Sequence, residues 1–215
     1  MKFSFIIFAF IILFSKSWGQ ASKPIKIKWV NGLSGDFSFS KKWSYQLGVE
    51  RKKDGKAGCA DGGFCPERCY KMLDSNGIVL KDSSRIFYQL LDTTHQFHNI
   101  KCEARCYEWA GTEFMEVTRT KKGKIFCSTL INEATHCSLQ LNINSNICTA
   151  AIRLNSIVQG GGATYYCTSG FITIDEQLWK KGKMKTKFNF IFKNKDDIQK
   201  PFYWKGKIFA KIKTA

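Results

Sequence analysis

Ile100-Lys101-Cys102-Glu103-Ala104-Arg105-Cys106 alternates apolar and charged side chains over seven residues, and this period of two decides how the chain is read. On a strand, Ile100, Cys102, Ala104 and Cys106 share one face while Lys101, Glu103 and Arg105 take the other. The alternative is a metal centre, because His95, His98, Cys102 and Cys106 place four zinc-ligand side chains within twelve residues. A helix would gather the four on one face. A strand separates Cys102 from Cys106 by about 13 Å at ~3.3 Å per residue, too far for one ion and too far for a mutual disulfide. No metal and no cofactor is therefore expected. Each cysteine instead becomes a staple to another strand, with its partner among Cys127, Cys137, Cys148 and Cys167.

The same alternation recurs on both sides of this stretch. Ile25, Ile27 and Trp29 alternate with lysines, and Phe37 with Phe39 and Trp43, Tyr45 with Leu47 suggest two more short strands. Downstream, Phe114–Arg119 runs back after a turn at Trp109–Gly111. Then come 125–130, 136–143, 147–154 and 164–168, with a hairpin turn at Gly160-Gly161-Gly162. A three-strand meander over 171–174, 185–192 and 204–212 completes the series. Asp82–Leu91 is the one expected helix, capped by Asp82 or Ser83 and covered by Ile86, Leu90 and Leu91. The expected fold is all-β, an antiparallel sandwich or barrel of roughly ten strands stapled by disulfides, with at most one short helix.

Residues 1–21 have the order of a secretory signal peptide: Met1-Lys2, the apolar run Phe3–Phe14, then small and polar residues to Ala21. The run is short of the ~20 residues that span a bilayer, and no second long apolar run follows. The expected mature chain is a single secreted domain over 22–215 without a transmembrane segment, extracellular or in the cell envelope. All nine cysteines lie in it: Cys59, Cys65, Cys69, Cys102, Cys106, Cys127, Cys137, Cys148 and Cys167. An exported chain with so many uses them as disulfides, and the odd count leaves at least one unpaired within the chain. The glycine-rich loop 59–69 calls for a local pair among its three cysteines, with the third as the odd thiol.

The formal net charge is +17, and loss of Lys2 and Lys16 leaves +15. From Lys180 onward there are twelve lysines against two aspartates. In the final meander Lys183, Lys185 and Lys187 share one face of their strand. Lys205, Lys207, Lys211 and Lys213 share a face of the last, with Tyr203 and Phe209 on the same parity. These seven lysines form the candidate ligand site, suited to an anionic polysaccharide or an anionic membrane surface and less to nucleic acid. Lysines also protect sheet edges from pairing with other chains, which is the competing explanation.

Asp92, His95 and His98 are the candidates for acid–base chemistry, with Thr93, Thr94 or a distant serine as nucleophile. An Asp beside a His in a loop more often serves to bond a turn. His136 and Cys137 are adjacent on a strand and point to opposite faces, so they form no thiolate–base pair. No Gly-x-Ser-x-Gly elbow is present, and the glycine triplet lacks the Lys-Ser/Thr of a phosphate loop. A binding or structural module is favoured over an enzyme. A secreted hydrolase or metal protein centred on Asp92, His95 and His98, or a secreted toxin or effector, stands as the alternative.

The stretches 169–174, 185–190 and 204–208 resemble the final strands of uncharacterised secreted β-rich proteins of the Bacteroidetes type. The resemblance covers the last quarter of the chain and implies no function.

Overall fold

The alternation through Ile100–Arg105 is strand: Ile100 is buried, Cys102 and Ala104 pack against the core, and Lys101, Glu103 and Arg105 are exposed. The computed structural model describes residues 22–45, 48–60, 65–108, 110–130, 136–156, 161–194 and 197–214. The signal-peptide reading of 1–21 and the side chains of Leu47 and Trp109 lie outside these. In chain order the strands are β1 (Ile25–Val30), β2 (Trp43–Ser44), β3 (Val49–Arg51), β4 (Ala57–Cys59), β5 (Gln96–Phe97) and β6 (Ile100–Arg105). They continue with β7 (Met115–Arg119), β8 (Ile125–Thr129), β9 (Cys137–Asn144), β10 (Ile147–Ser156) and β11 (Gly161–Asp175). The last three are β12 (Lys183–Phe192), β13 (Phe202–Lys211) and β14 (Lys213–Thr214). Among the described residues three short α-helices, α1 (Glu67–Tyr70), α2 (Ser84–Leu90) and α3 (Glu176–Lys180), interrupt them.

The fold is all-β. Ten strands form one sheet in the order β14-β7-β8-β9-β10-β1-β11-β12-β13-β6. Its two halves share β11, whose first part pairs with β10 (Ser156↔Gly161 to Ala151↔Tyr166) and whose second part pairs with β12 (Cys167↔Phe192 to Ile174↔Thr186). The register shifts between Cys167 and Ser169, and Gly170 follows at φ +145° with no room for a Cβ against the Asn189 carbonyl. A bulge with a glycine turns the strand there, as at the corner of a folded sheet. β1 fills the wedge this opens, starting antiparallel to β10 at Ile25↔Cys148 and continuing parallel to β11 from Ile27↔Ile172. Beyond β13, β14 pairs with β7 and closes the sheet over one core.

That core follows from the alternation. Leu139, Leu141 and Ile143 of β9 and Ile152 of β10 meet Ile172, Ile174, Phe190, Phe192, Trp204 and Ile208 from the other half. Each such side chain contributes ~1.5–3 kcal/mol on burial. Across the middle, Cys127 Sγ lies 3.7 Å from Met184 Sδ. A second, smaller cluster gathers Cys59, Cys65, Cys69, Phe87 and Leu91 beside the β3–β4 hairpin.

Several expectations are corrected. Phe37 and Phe39 are not on a strand: Ser38–Lys41 is a 3₁₀ turn, because the Asp36 carboxylate accepts the Ser38 N–H at 2.8 Å and the Ser40 hydroxyl donates to the Phe37 carbonyl. The expected helix begins as a 3₁₀ turn at Lys81–Ser83 and buries Phe87 and Leu91, while Ile86 is 51% exposed. It packs on the small cluster rather than on the main core. α1 and α3 exceed the single helix expected, being too short to show a 3.6-residue period. The segments read as 164–168 and 171–174 are one strand. β7 does not pair with β6, because the chain crosses to the opposite half; their starts are joined where Asn99 and Ile100 donate to the Glu113 carbonyl and the Asn99 side chain bonds both backbone groups of Met115.

Asp175 ties the corner to the loop over the sheet. It is 3% exposed, caps α3 by accepting the Leu178 N–H at 3.0 Å, and accepts the Leu33 N–H at 2.8 Å. Burial raises its pKa, yet these N–H groups and the charge of Lys185 outweigh it and hold the carboxyl below its ordinary range. Its contribution is therefore present above the unfolded value and lost as pH falls through the folded one. Asp175→Ala is expected to lose ~1–3 kcal/mol in urea unfolding at pH 7. The difference from wild type should shrink in acid, and an equal difference at neutral and acidic pH would show that the charge plays no part. Gly206→Ala places a Cβ against the Lys101 carbonyl and Cys102, so amide exchange in β6 should accelerate while β12 stays protected.

Candidate functional site

The loop ahead of β6 does not assemble an acid–base centre. The Asp92 carboxylate accepts the Thr94 N–H at 2.9 Å, and hydrogen bonding from Thr94 holds it below the usual range. His95 stacks on Trp43 with centroids 3.9 Å apart and lies 5.6 Å from the ring of Tyr45. His98 Nε2 lies 2.7 Å from Ser44 Oγ, and its ring meets Phe114 edge-on. Each of the three is engaged by a different neighbour. For the two histidines β2 and β5 bring this about, with Trp43↔Phe97 and Ser44↔Gln96 in register. Ser44 was not visible as a partner because pairing across fifty-odd residues leaves no local pattern. A cleft of about 580 Å³ opens here, lined by Lys41, Lys42, Trp43, Tyr45, Arg51 and His98. Among the described residues, no three His, Cys, Asp or Glu side chains gather as a metal-binding group.

The lysines occupy the outer face of β12 and β13. Lys183 is in register with Lys211, and Lys187 with Lys207. Lys207 is in turn opposite Lys101 of β6, so three ammonium groups from three neighbouring strands form one rung. Lys101 belongs to the site although the meander alone did not reveal it. The remaining lysines are differently engaged. Lys205 pairs with Glu103 at 3.0 Å and lies over the Tyr203 ring, whose hydroxyl donates to the same carboxylate at 2.6 Å. Lys213 sits on β14 and pairs with Glu116 of β7 at 3.7 Å.

The loop after β1 lies over this face. Phe37 packs against Phe209 and receives Lys185 at 4.9 Å and Lys207 at 5.7 Å from its ring centroid. Lys207 also donates to the Asp36 carbonyl at 3.0 Å, and the hydrogen bonds from Ser38, more than the charges of Lys207 and Lys101, hold the Asp36 carboxyl low. A second cleft of about 550 Å³ connects the rung to the first through shared Lys42 and His98, and Lys101 lines it. The result is a basic track with aromatic rings beside it.

Among the cysteines, Cys59 and Cys65 are bonded with Cα atoms 5.7 Å apart, and Cys69 is a buried thiol in the same cluster. Burial raises the pKa of Cys69 and Cys102, and of Cys127 and Cys148 within the main core, Cys148 to about 12. Such thiols are unreactive. Cys102 Sγ lies 3.8 Å from the Thr112 carbonyl. Cys106 and Cys137 differ: the two thiols hydrogen-bond each other, and the Glu108 backbone N–H also reaches Cys137. The first bond lowers Cys137 and raises Cys106. Ser156 donates to Glu108, which fixes the segment after β6 against the end of β10.

Protein refolded with a small-molecule disulfide as oxidant should yield a peptide linking Cys106 to Cys137. Cys137→Ser should then lose ~2–4 kcal/mol relative to the oxidised wild type. Recovery of both residues alkylated from the oxidised protein would dispose of the bridge. Compared with protein-family models, curated proteins and solved structures, the chain matches none, so its function is read from these groups alone.

Proposed function

We propose that the protein is a secreted binding module that holds an acidic or sulfated polysaccharide along the outer face of β6, β12 and β13. The observation that carries this is the rung Lys187–Lys207–Lys101. Like charges directly opposite on neighbouring strands oppose pairing by ~0.2–1 kcal/mol each, and a sheet built for stability alone would alternate signs there. Protection of an edge does not account for Lys187 and Lys207 either, since β12 and β13 are interior strands of the sheet. A polyanion relieves the repulsion. The Trp43 and Tyr45 cleft at the end of the track supplies aromatic faces for sugar rings.

A serine hydrolase is the second reading, supported by the 2.7 Å contact between Ser44 Oγ and His98 Nε2, which is the spacing of a nucleophile and its base. Labelling of Ser44 by a fluorophosphonate, lost in His98→Ala, would favour it.

On immobilised dextran sulfate the wild-type protein should be retained at low salt and released as salt rises. Lys101→Gln/Lys187→Gln/Lys207→Gln should weaken binding roughly tenfold or more and flatten the salt dependence. Lys213→Gln, whose ammonium is paired across β7, should behave as wild type. Equal retention of all three proteins would show that the rung is not the binding site.

A further inference from the structure

A cleft of about 980 Å³ lies between the β3–β4 hairpin and α2 and meets the Trp43–Tyr45 cleft at Glu50 and Arg51. Its floor is apolar: Leu73, Val79 and Phe87 line it beside the Cys59–Cys65 bridge. Ile78, 63% exposed, and Tyr88, 38% exposed, stand at its lip, so two large apolar side chains are held in water next to an apolar hollow. Ser84 shares the Tyr88 side of α2, one turn earlier, while Phe87 points inward, so the helix presents a mixed wall.

The rim is cationic. Arg51, Lys52, Lys53, Lys56 and Lys81 line the cleft against two acids, Glu50 and Asp54. Glu50 is taken by Lys52 at 2.6 Å, and Asp54 accepts the Lys56 backbone N–H at 3.0 Å. Among the described residues, Lys53, Lys56 and Lys81 have no carboxylate partner.

We infer that this cleft is a second binding site and that it takes a single-chain amphiphilic anion, an alkyl chain ending in a phosphate. The chain would cover the aliphatic floor and the exposed Ile78, and the headgroup would lie among the lysines of the rim. A free polyanion would leave the floor wet, and a neutral lipid would leave the ammonium groups unmatched. The volume lies at the upper end of ordinary small-molecule pockets, ~300–1,000 Å³, and suits a flexible chain. The assignment does not rest on the polysaccharide track, whose Lys187, Lys207 and Lys101 lie on other strands.

Calorimetric titration with decyl phosphate below its micelle concentration tests the site, with inorganic phosphate, decyl maltoside and phosphatidylglycerol vesicles as the other arms. Saturable binding of one decyl phosphate per chain is expected, with inorganic phosphate and decyl maltoside each roughly tenfold weaker or worse. Lys53→Gln/Lys56→Gln/Lys81→Gln and, separately, Ile78→Asp should each weaken decyl phosphate roughly tenfold while leaving retention on dextran sulfate in place. All four positions are exposed, so the variants keep the fold, which circular dichroism checks. Equal binding of inorganic phosphate, unchanged binding by both variants, or association with vesicles alone would each overturn the assignment.

Discussion

A strand cannot lie flat in two sheet halves that face each other across a core, so the fold depends on how β11 turns between them. The bulge after Cys167 and the glycine at 170 provide the turn, and Asn189 comes too close to that glycine to admit a side chain. Every other long-range arrangement follows from this corner. β10 and β12 each keep their own stretch of β11, β1 occupies the gap between them, and the phenylalanines of β12 face the aliphatic side chains of β9 and β10.

The corner also prepares the outer surface. Asp175 ends β11, starts α3 and holds Leu33, which sets the path of the loop that carries Asp36 and Phe37 over the lysines. One buried carboxylate thus connects core geometry to the shape of the basic track. The track is not an even field of seven charges. Phe37 and Asp36 cover its middle, Glu103 neutralises Lys205, and Lys101 extends it toward the aromatic cleft.

The fold was largely legible because the sheet is amphipathic, and amphipathic strands display their period in the residues themselves. The meander of β11, β12 and β13 was visible down to the shared face of Lys183, Lys185 and Lys187. Where side-chain bonding overrides period, as with Asp36 and Ser40 around the 3₁₀ turn, alternating phenylalanines misled. Helices of four or five residues complete too few turns to be recognised by periodicity. The site was only partly legible for a different reason. Lys101, Ser44 and Trp43 acquire their partners by pairing with distant strands, and register between distant segments is not encoded in any short stretch. Of the three residues close in sequence, His95 and His98 are drawn to Trp43 and Ser44 by that same pairing, while Asp92 closes a turn on Thr94.

The position of β1 has a consequence for the order of assembly. Its slot exists only once β10 and β11 have parted at the corner, and its contacts there reach residues 146–175, more than a hundred positions along the chain. Loops that long close slowly. By sequence separation alone Ile25–Val30 belongs with the late-pairing strands, and its place is that of a wedge between the two halves. Until it pairs, the open edges of β10 and β11 are the surfaces on which one copy of the chain is most exposed to pairing with another.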